Sequence, residues 1–439
     1  MRAVWRYGSP VVRWYAHTKK GLFNLALTLT VFACVSGQAS ALTVPPYRRT
    51  ALSLPDSGSE LTVYLMTMGP GKHVWERFGH NAIWIHDPVR GSDETYNYGL
   101  FDFGQQNFLL RFVQGRMWYW MQGFPAQSYV ESYRRANRSV WVQELEIPPL
   151  ARSELQAFLE WNERPENRFY HYDYYRDNCS TRVRDALDRA LSGLIQRETS
   201  AASTGRTYRF HTLRLTANDI PVYTGLLLAL GQPVDRPISQ WEEMFLPLAL
   251  RAHIRNLRVT GPDGREIPLV KSERTLFEST EPPPPATPPF WLPGYLLAGL
   301  VIGGLAFGLA GVARDGVGRA GFLATIWGWC LVTGVAGLVL AGLWGVTDHS
   351  AAYRNENLLQ TDLLALPLLW LITRAVFRPS ATRPACVLSL VVVALSLTGL
   401  LLKLLPSFDQ VNGNIIALAL PANAGIAAGV WRLVRPQRP

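Results

Sequence analysis

Hydrophobic and polar positions divide this 439-residue chain into an alternating first part and an apolar last third. Continuous apolar stretches lie near 291–312, 321–346, 358–377, 385–405 and 414–431. Each is about long enough to cross a hydrocarbon core of roughly 30 Å, so five membrane helices are expected. The third is the least regular, because Gln360, Asp362 and Pro367 interrupt it. Upstream, residues 61–66, 81–86 and 94–98 alternate as strands do, and Gly69-Pro70-Gly71 breaks the chain between the first two. Residues 140–147 read as another strand, and 152–163 as a helix opened by Ser153 with Glu154 in its first turn. The segment 205–280 is mixed, with a hairpin over 258–270 turning at Asp263-Gly264. The proline run over 281–289 favours polyproline II and acts as a semi-rigid spacer. The expected fold class is α+β, followed by a helical membrane domain of about five transmembrane helices.

The first 41 residues read as a signal peptide. Arg2, Arg6, Arg13, Lys19 and Lys20 precede an apolar core over 22–35, and Ala39-Ser40-Ala41 supplies a small-residue cleavage site. An uncleaved signal anchor is the alternative. The net charge of +10 gives no support for a nucleic-acid partner once its location is considered. Five basic and no acidic residues fall in the signal region, and ten basic against five acidic lie from Phe290 onward, leaving the intervening domain near neutrality. With that domain outside, alternate membrane connections carry Arg314 and Arg319, then Arg374, Arg378 and Arg383, then Arg432, Arg435 and Arg438. The opposite loops hold only Arg354, with Lys403 at a helix end. This positive-inside pattern predicts a multi-pass protein of the bacterial inner (cytoplasmic) membrane with a cytoplasmic C-terminus. The expected organisation is a signal peptide over 1–41, an extracytoplasmic catalytic domain over 42–280, the linker over 281–289, a membrane domain over 290–434 and a tail over 435–439.

Between residues 42 and 289 the chain holds one cysteine, Cys179, in Asp177-Asn178-Cys179-Ser180-Thr181-Arg182. A disulfide needs a second cysteine, and a lone thiol kept in an exported domain is better explained by reactivity than by packing. Val183, Ala186, Leu187, Ala190, Leu191 and Leu194 recur at helical spacing, with Asp177 or Asn178 as the N-cap and Gly193 as the stop. Cys179 then lies in the first turn, where the positive end of the helix favours thiolate. Such a nucleophile needs a base. His73, His80, His86, His171, His211 and His253 are all available. His80 starts an apolar strand after Phe78-Gly79, and His86 ends the same strand on the same face.

A strand-borne histidine in Gly-His-Asn-Ala-Ile, followed by Asn-Cys opening a helix, resembles circularly permuted papain-like enzymes of the NlpC/P60-like kind. A closer resemblance is to the Lnb N-terminal periplasmic domain family. It is carried by Gly69-Pro70-Gly71, Phe78-Gly79-His80, Tyr96-Asn97-Tyr98-Gly99 and the run from Tyr172 to Arg182. Thr347-Asp348-His349 and the run from Asn355 to Leu359 resemble that family's outer membrane loop. The resemblance covers most of the chain after the signal region and is weakest over 205–280. It implies a permuted papain-like domain and a lipoprotein intramolecular transacylase, with Cys179 as the nucleophile and His80 as its base. It also implies bacterial lipoproteins or membrane lipid as partners. Asp177, Asn178, His86 and Asn97 are the supporting candidates.

Arg182 and Arg184 read as surface or ion-pair residues. Trp118-Tyr119-Trp120 suits a core, an acyl groove or a membrane interface, while His349, Asn355 and Asn357 suit a lipid headgroup or contact with the first domain. No metal site is expected, since the cysteines lack zinc spacing and no HExxH occurs. No cofactor is expected, and Gly69-Pro70-Gly71-Lys72 lacks phosphate-loop spacing. A cell-wall peptidase or amidase using the same pair is the first alternative, and a non-catalytic membrane scaffold the second.

Overall fold

The computed structural model describes residues 58–261, 263–313 and 316–434. The expected signal region, the start of the first domain, Arg314 and the tail over 435–439 lie outside the described residues.

The first domain opens with β1 (Thr62–Met68), β2 (His80–Asp87), β3 (Ser92–Leu100), α1 (Phe108–Gln114), β4 (Trp118–Pro125), α2 (Ala126–Arg135) and β5 (Val140–Leu145). α3 (Pro149–Glu163), β6 (Phe169–His171), α4 (Cys179–Ala190), α5 (Leu194–Thr199), β7 (Ser203–Thr207), α6 (Tyr208–Leu215) and α7 (Ile220–Ala229) follow. β8 (Pro237–Ser239), α8 (Gln240–Glu243), α9 (Pro247–Arg255), β9 (Arg258–Thr260), β10 (Glu266–Pro268) and β11 (Val270–Phe277) complete it. Seven strands pair antiparallel in the order β11-β5-β1-β2-β3-β4-β6. The period-two pattern gives this sheet two apolar faces. Val63, Leu65, Ile83 and Ile85 pack against α3, α4 and α9, through Leu159, Val183, Leu187 and Leu250. Met66, Met68 and Ala82 face the other way, against Tyr129 of α2.

The four expected strands are present, and the expected hairpin forms between β9 and β10, with Gly264 at φ +79° in its turn. The helix expected over 152–163 begins three residues earlier, at Pro149, because the proline ring suits the first helical position, where no N–H is required. Trp118-Tyr119-Trp120 forms the start of β4, paired to both β3 and β6.

The last third contains α10 (Leu292–Ala310), α11 (Gly316–Val346), α12 (Ala365–Phe377), α13 (Thr382–Leu401) and α14 (Gly413–Val434). Four of the described helices are long and apolar enough to cross a membrane, which corrects the expected five. The third expected span shrinks to α12, whose 13 residues reach only about 20 Å at 1.5 Å per residue. Residues 360–362 before it are irregular and buried, with Gln360 Nε2 donating to Ser396 O of α13 at 3.0 Å. Irregular backbone is tolerated at that depth where protein surrounds it.

The two parts are tied by side-chain amides. Asn355 Nδ2 donates to Leu228 O (2.7 Å) and Ala229 O (3.1 Å), and Asn357 Nδ2 to Leu227 O (3.0 Å). Gln410 Nε2 adds a bond to Leu230 O at 3.2 Å. These donors satisfy the carbonyls that the end of α7 leaves unpaired. Asn355, Asn357 and His349 therefore pack against the first domain, His349 Nε2 donating to Phe112 O at 2.9 Å.

Candidate active site

The site begins with Asn178, the N-cap of α4. Its Oδ1 accepts from Ser180 N and Thr181 N, both at 2.9 Å, while its Nδ2 donates to Tyr174 O (2.9 Å) and Phe245 O (3.0 Å). Thr181 Oγ1 in turn accepts from Asn178 N at 2.8 Å, closing a capping box. The cap falls on Asn178, and Cys179 is the first residue of the helix. Ser180 Oγ lies 2.7 Å from Met244 O and 2.8 Å from Asn81 Oδ1, joining α4 to β2. Glu243 steadies the Met244–Phe245 segment through contacts to His211 Nε2 (2.9 Å) and His253 Nε2 (2.7 Å). Burial pushes the Glu243 carboxyl up, but bonds from the two histidines prevail and hold it at about 2.

His80 stands at the other side of an opening in the sheet. The β2–β3 ladder reaches only to Ala82 and Asn97, and the β3–β4 register shifts between Tyr98 and Leu100. Such bulges bend strands and re-aim side chains. By alternation His80, Ala82 and the paired Asn97 share the face away from α4, whereas Asn81 faces the helix. Gly99 lets the two sides meet. It has φ +94°, and a Cβ there would lie 3.2 Å from Cys179 Cβ, 3.7 Å from His80 Cε1 and 3.9 Å from Tyr170 Oη. Any side chain would fill the point on which those three groups converge. Gly79, at φ +85°, serves the entry to β2, since a Cβ there would stand 2.9 Å from Met68 O.

His80 Nε2 is hydrogen-bonded to Asn97 Oδ1. An amide oxygen only accepts, so the bond places the ring proton on Nε2 and leaves Nδ1 with a free lone pair. The ring also lies parallel to Tyr133 at 6.4 Å between centroids. Burial pushes His80 down to about 4 and the Cys179 thiol up to about 11. Backbone N–H groups of Asn81 and Ser180 and the Arg138 guanidinium oppose the thiol's rise. The expected helix-end preference for thiolate is thus outweighed by desolvation. Both residues keep partial exposure, which moderates the shifts without changing their sign. At neutral pH the site holds a neutral imidazole with a free nitrogen and a neutral thiol, the resting state of a base and a nucleophile.

Two functional candidates are missing from the reading of the sequence. Tyr170 is buried, its hydroxyl has no hydrogen-bond partner among the described residues, and it points to the Gly99 opening. The Arg182 guanidinium covers its ring at 4.3 Å and is held by a fork of two bonds to Asp177. Asp177 therefore neither caps α4 nor meets a histidine. Arg138 is the second, buried over Tyr133 at 4.7 Å, with Nε donating to Gly69 O at 2.9 Å. Neither was legible, because Tyr170 is one of four tyrosines between 170 and 175 and ring positions there depend on the β4–β6 pairing.

His86 lies outside the site. It ends β2 six residues from His80, about 20 Å away at 3.3 Å per residue. It is exposed, with Nδ1 bonded to Asp93 Oδ1 at 2.9 Å. His171 stacks on Trp118 at 4.0 Å and His73 on Trp75 at 4.9 Å. Arg184, expected as a surface or ion-pair residue, is buried beneath Trp241, bonded to Trp241 O at 2.8 Å and ion-paired to Asp185 at 2.7 Å. A cavity of about 420 Å³ beside Asp177, Arg182 and Asp185 lies along the flank of α4 and includes neither Cys179 nor His80.

Fold and site together describe a membrane protein whose α+β domain brings a cysteine and a histidine to one opening. Residues 56–218 match the family model of the Lnb N-terminal periplasmic domain. No curated protein and no solved structure matches the chain.

Proposed function

We propose that this protein is a membrane-bound thiol acyltransferase of the cell envelope. It moves an acyl chain from the diacylglyceryl group of a bacterial lipoprotein to the N-terminal amine of the same lipoprotein. The observation that carries this reading is the convergence of Cys179 and an Asn97-oriented His80 on one opening, within a domain that matches this family's model. A cysteine-bearing helix laid on an antiparallel sheet that carries the histidine also supports the permuted papain-like reading of the domain. The basic flanks of the membrane helices support a cytoplasmic C-terminus and a first domain on the outer side of the inner membrane.

His80 Nδ1 takes the Cys179 proton as sulfur attacks the ester carbonyl. The backbone N–H of Cys179 and Tyr170 Oη–H stabilise the tetrahedral oxyanion, the N–H groups of Ser180 and Thr181 being held by the Asn178 cap. Collapse breaks the ester C–O bond, and His80 returns the proton to the departing glyceryl oxygen, leaving a lyso-lipoprotein and a thioester. The lipoprotein's amine then attacks the thioester, His80 removes its proton, the C–S bond breaks and the proton returns to Cys179. The sum is transfer of one acyl group from oxygen to nitrogen with no water consumed.

The test is mass spectrometry of N-terminal lipopeptides from a host lacking its own lipoprotein N-acylation, expressing wild type or Cys179→Ala. Conversion to the lyso-N-acyl form by wild type alone is expected. Conversion by both removes Cys179 from the mechanism. No conversion by correctly inserted wild type overturns the lipoprotein substrate and directs attention to cell-wall peptides.

A further inference from the structure

Beside the site, the segment from Phe101 through α1 exposes large apolar side chains. Leu109 is 74 % exposed and Leu110 50 %, with Phe103 and Phe112 also open. An exposed cluster of this kind marks an interaction surface. Its position indicates the occupant. Asp348 N donates to Gln114 O at 2.8 Å, Arg116 Nε meets Asp348 Oδ2 at 2.6 Å, and His349 Nε2 donates to Phe112 O at 2.9 Å. A Cβ on Gly115 would come within 3.0 Å of Asp348 C and His349 N, so the two backbones touch. Asp348 and His349 directly follow α11, the end of which exposes Trp344 and Val346. The apolar cluster is therefore continuous with the end of α11, a helix long and apolar enough to cross a membrane.

A line of rings connects that cluster to the site. Phe108 stacks on Phe101 at 6.2 Å, Phe101 meets Tyr119 at 5.1 Å, and Tyr119 stacks on Tyr172 at 4.1 Å. Tyr119 and Tyr172 pack against the same core as Cys179, close enough for its charge to act on both.

We propose that residues 101–113 form a lip immersed in the bilayer leaflet next to the first domain, which takes a lipid acyl chain along Phe101, Tyr119 and Tyr172 to Cys179. The delivery step rests on the acyltransferase reading; the immersion does not. An amphipathic segment of this kind buries its apolar side chains at the headgroup–acyl boundary, and here it places the acyl ester beside the thiol without drawing the whole lipid into water.

The test uses the full chain in phosphatidylglycerol–phosphatidylethanolamine vesicles, with p-benzoylphenylalanine introduced singly at Leu109, Leu110, Val346 or Val89. Irradiation is expected to attach lipid at positions 109, 110 and 346 but not at Val89, an exposed residue in the turn between β2 and β3. Lipid adducts at 346 without adducts at 109 or 110 would overturn the immersion. The paired variant Leu109→Glu with Leu110→Glu is expected to lower N-acylation of membrane-bound lipoprotein at least tenfold, with alkylation of Cys179 by a soluble reagent unchanged. Full N-acylation by that variant would overturn the delivery step. Adducts at 109 and 110 in a protein that never N-acylates would leave the lip standing and reject the acyltransferase reading alone.

Discussion

Strand β2 carries a histidine at each end, and the two ends differ in everything but the residue. His80 and His86 share a face by their even spacing, yet only His80 meets the Gly99 opening, an amide acceptor and the start of α4. His86 pairs with Asp93 in solvent. Periodicity fixes the direction in which a side chain leaves a strand. It does not say which end the neighbouring strand leaves uncovered. That depends on where the β2–β3 ladder stops and where a glycine leaves a gap.

The contrast can be broken most sharply by deleting each ring. His80→Ala is expected to lower turnover about 10²–10⁴-fold, the range for loss of a positioned base, as measured by initial rates of lipopeptide N-acylation. The pH profile sharpens it. Because burial lowers His80 to about 4, its neutral form persists through the mildly acidic range, and activity should fall only as pH drops toward 4. An acid limb near the ordinary histidine value of about 6.5 would mean that the ring is better solvated than this geometry gives.

Smaller effects map the supports of the His80 end. Tyr170→Phe keeps the ring beneath Arg182 and removes only the hydroxyl. It is expected to cost about 10²-fold in kcat with little change in KM, as for loss of one oxyanion donor. Asn97→Ala frees the imidazole without removing it, and about a tenfold loss is expected, the low end for losing an orienting partner. Asn97→Asp, which keeps an acceptor, should recover part of that loss. His86→Ala closes the series, with turnover expected to stay within about twofold, because a surface substitution far from the site changes little. A tenfold effect there would place the base at the wrong end of the strand.

Much of this was legible in the chain. The alternation over 61–66, 81–86 and 94–98 marked three central strands, and the apolar spacing after Asn178 marked α4 and its cap. β11 was hidden because an edge strand exposes Lys271, Arg274 and Thr275, which erases the apolar alternation. β6 has three residues and exists through its pairing to β4. The third membrane stretch was overread because average hydropathy conceals that Gln360 and Asp362 need protein partners rather than lipid. In the site, Cys179 was legible from isolation and helix position, but choosing His80 rested on family resemblance. Tyr170 and the role of Gly99 arise only when β3, β6 and α4 meet, and no local pattern records that meeting.

The most direct test is to trap the enzyme with its acyl group attached. Purified protein in lipid vesicles is mixed with diacylated lipopeptide whose amine is blocked by acetylation, quenched in acid and digested for mass spectrometry. An acyl mass on the peptide containing Cys179, released by neutral hydroxylamine as a thioester and absent in His80→Ala on the same timescale, is the predicted result. With the unblocked lipopeptide, N-acylation at the wild-type rate by Cys179→Ser, with no acylated peptide at any time, would contradict it.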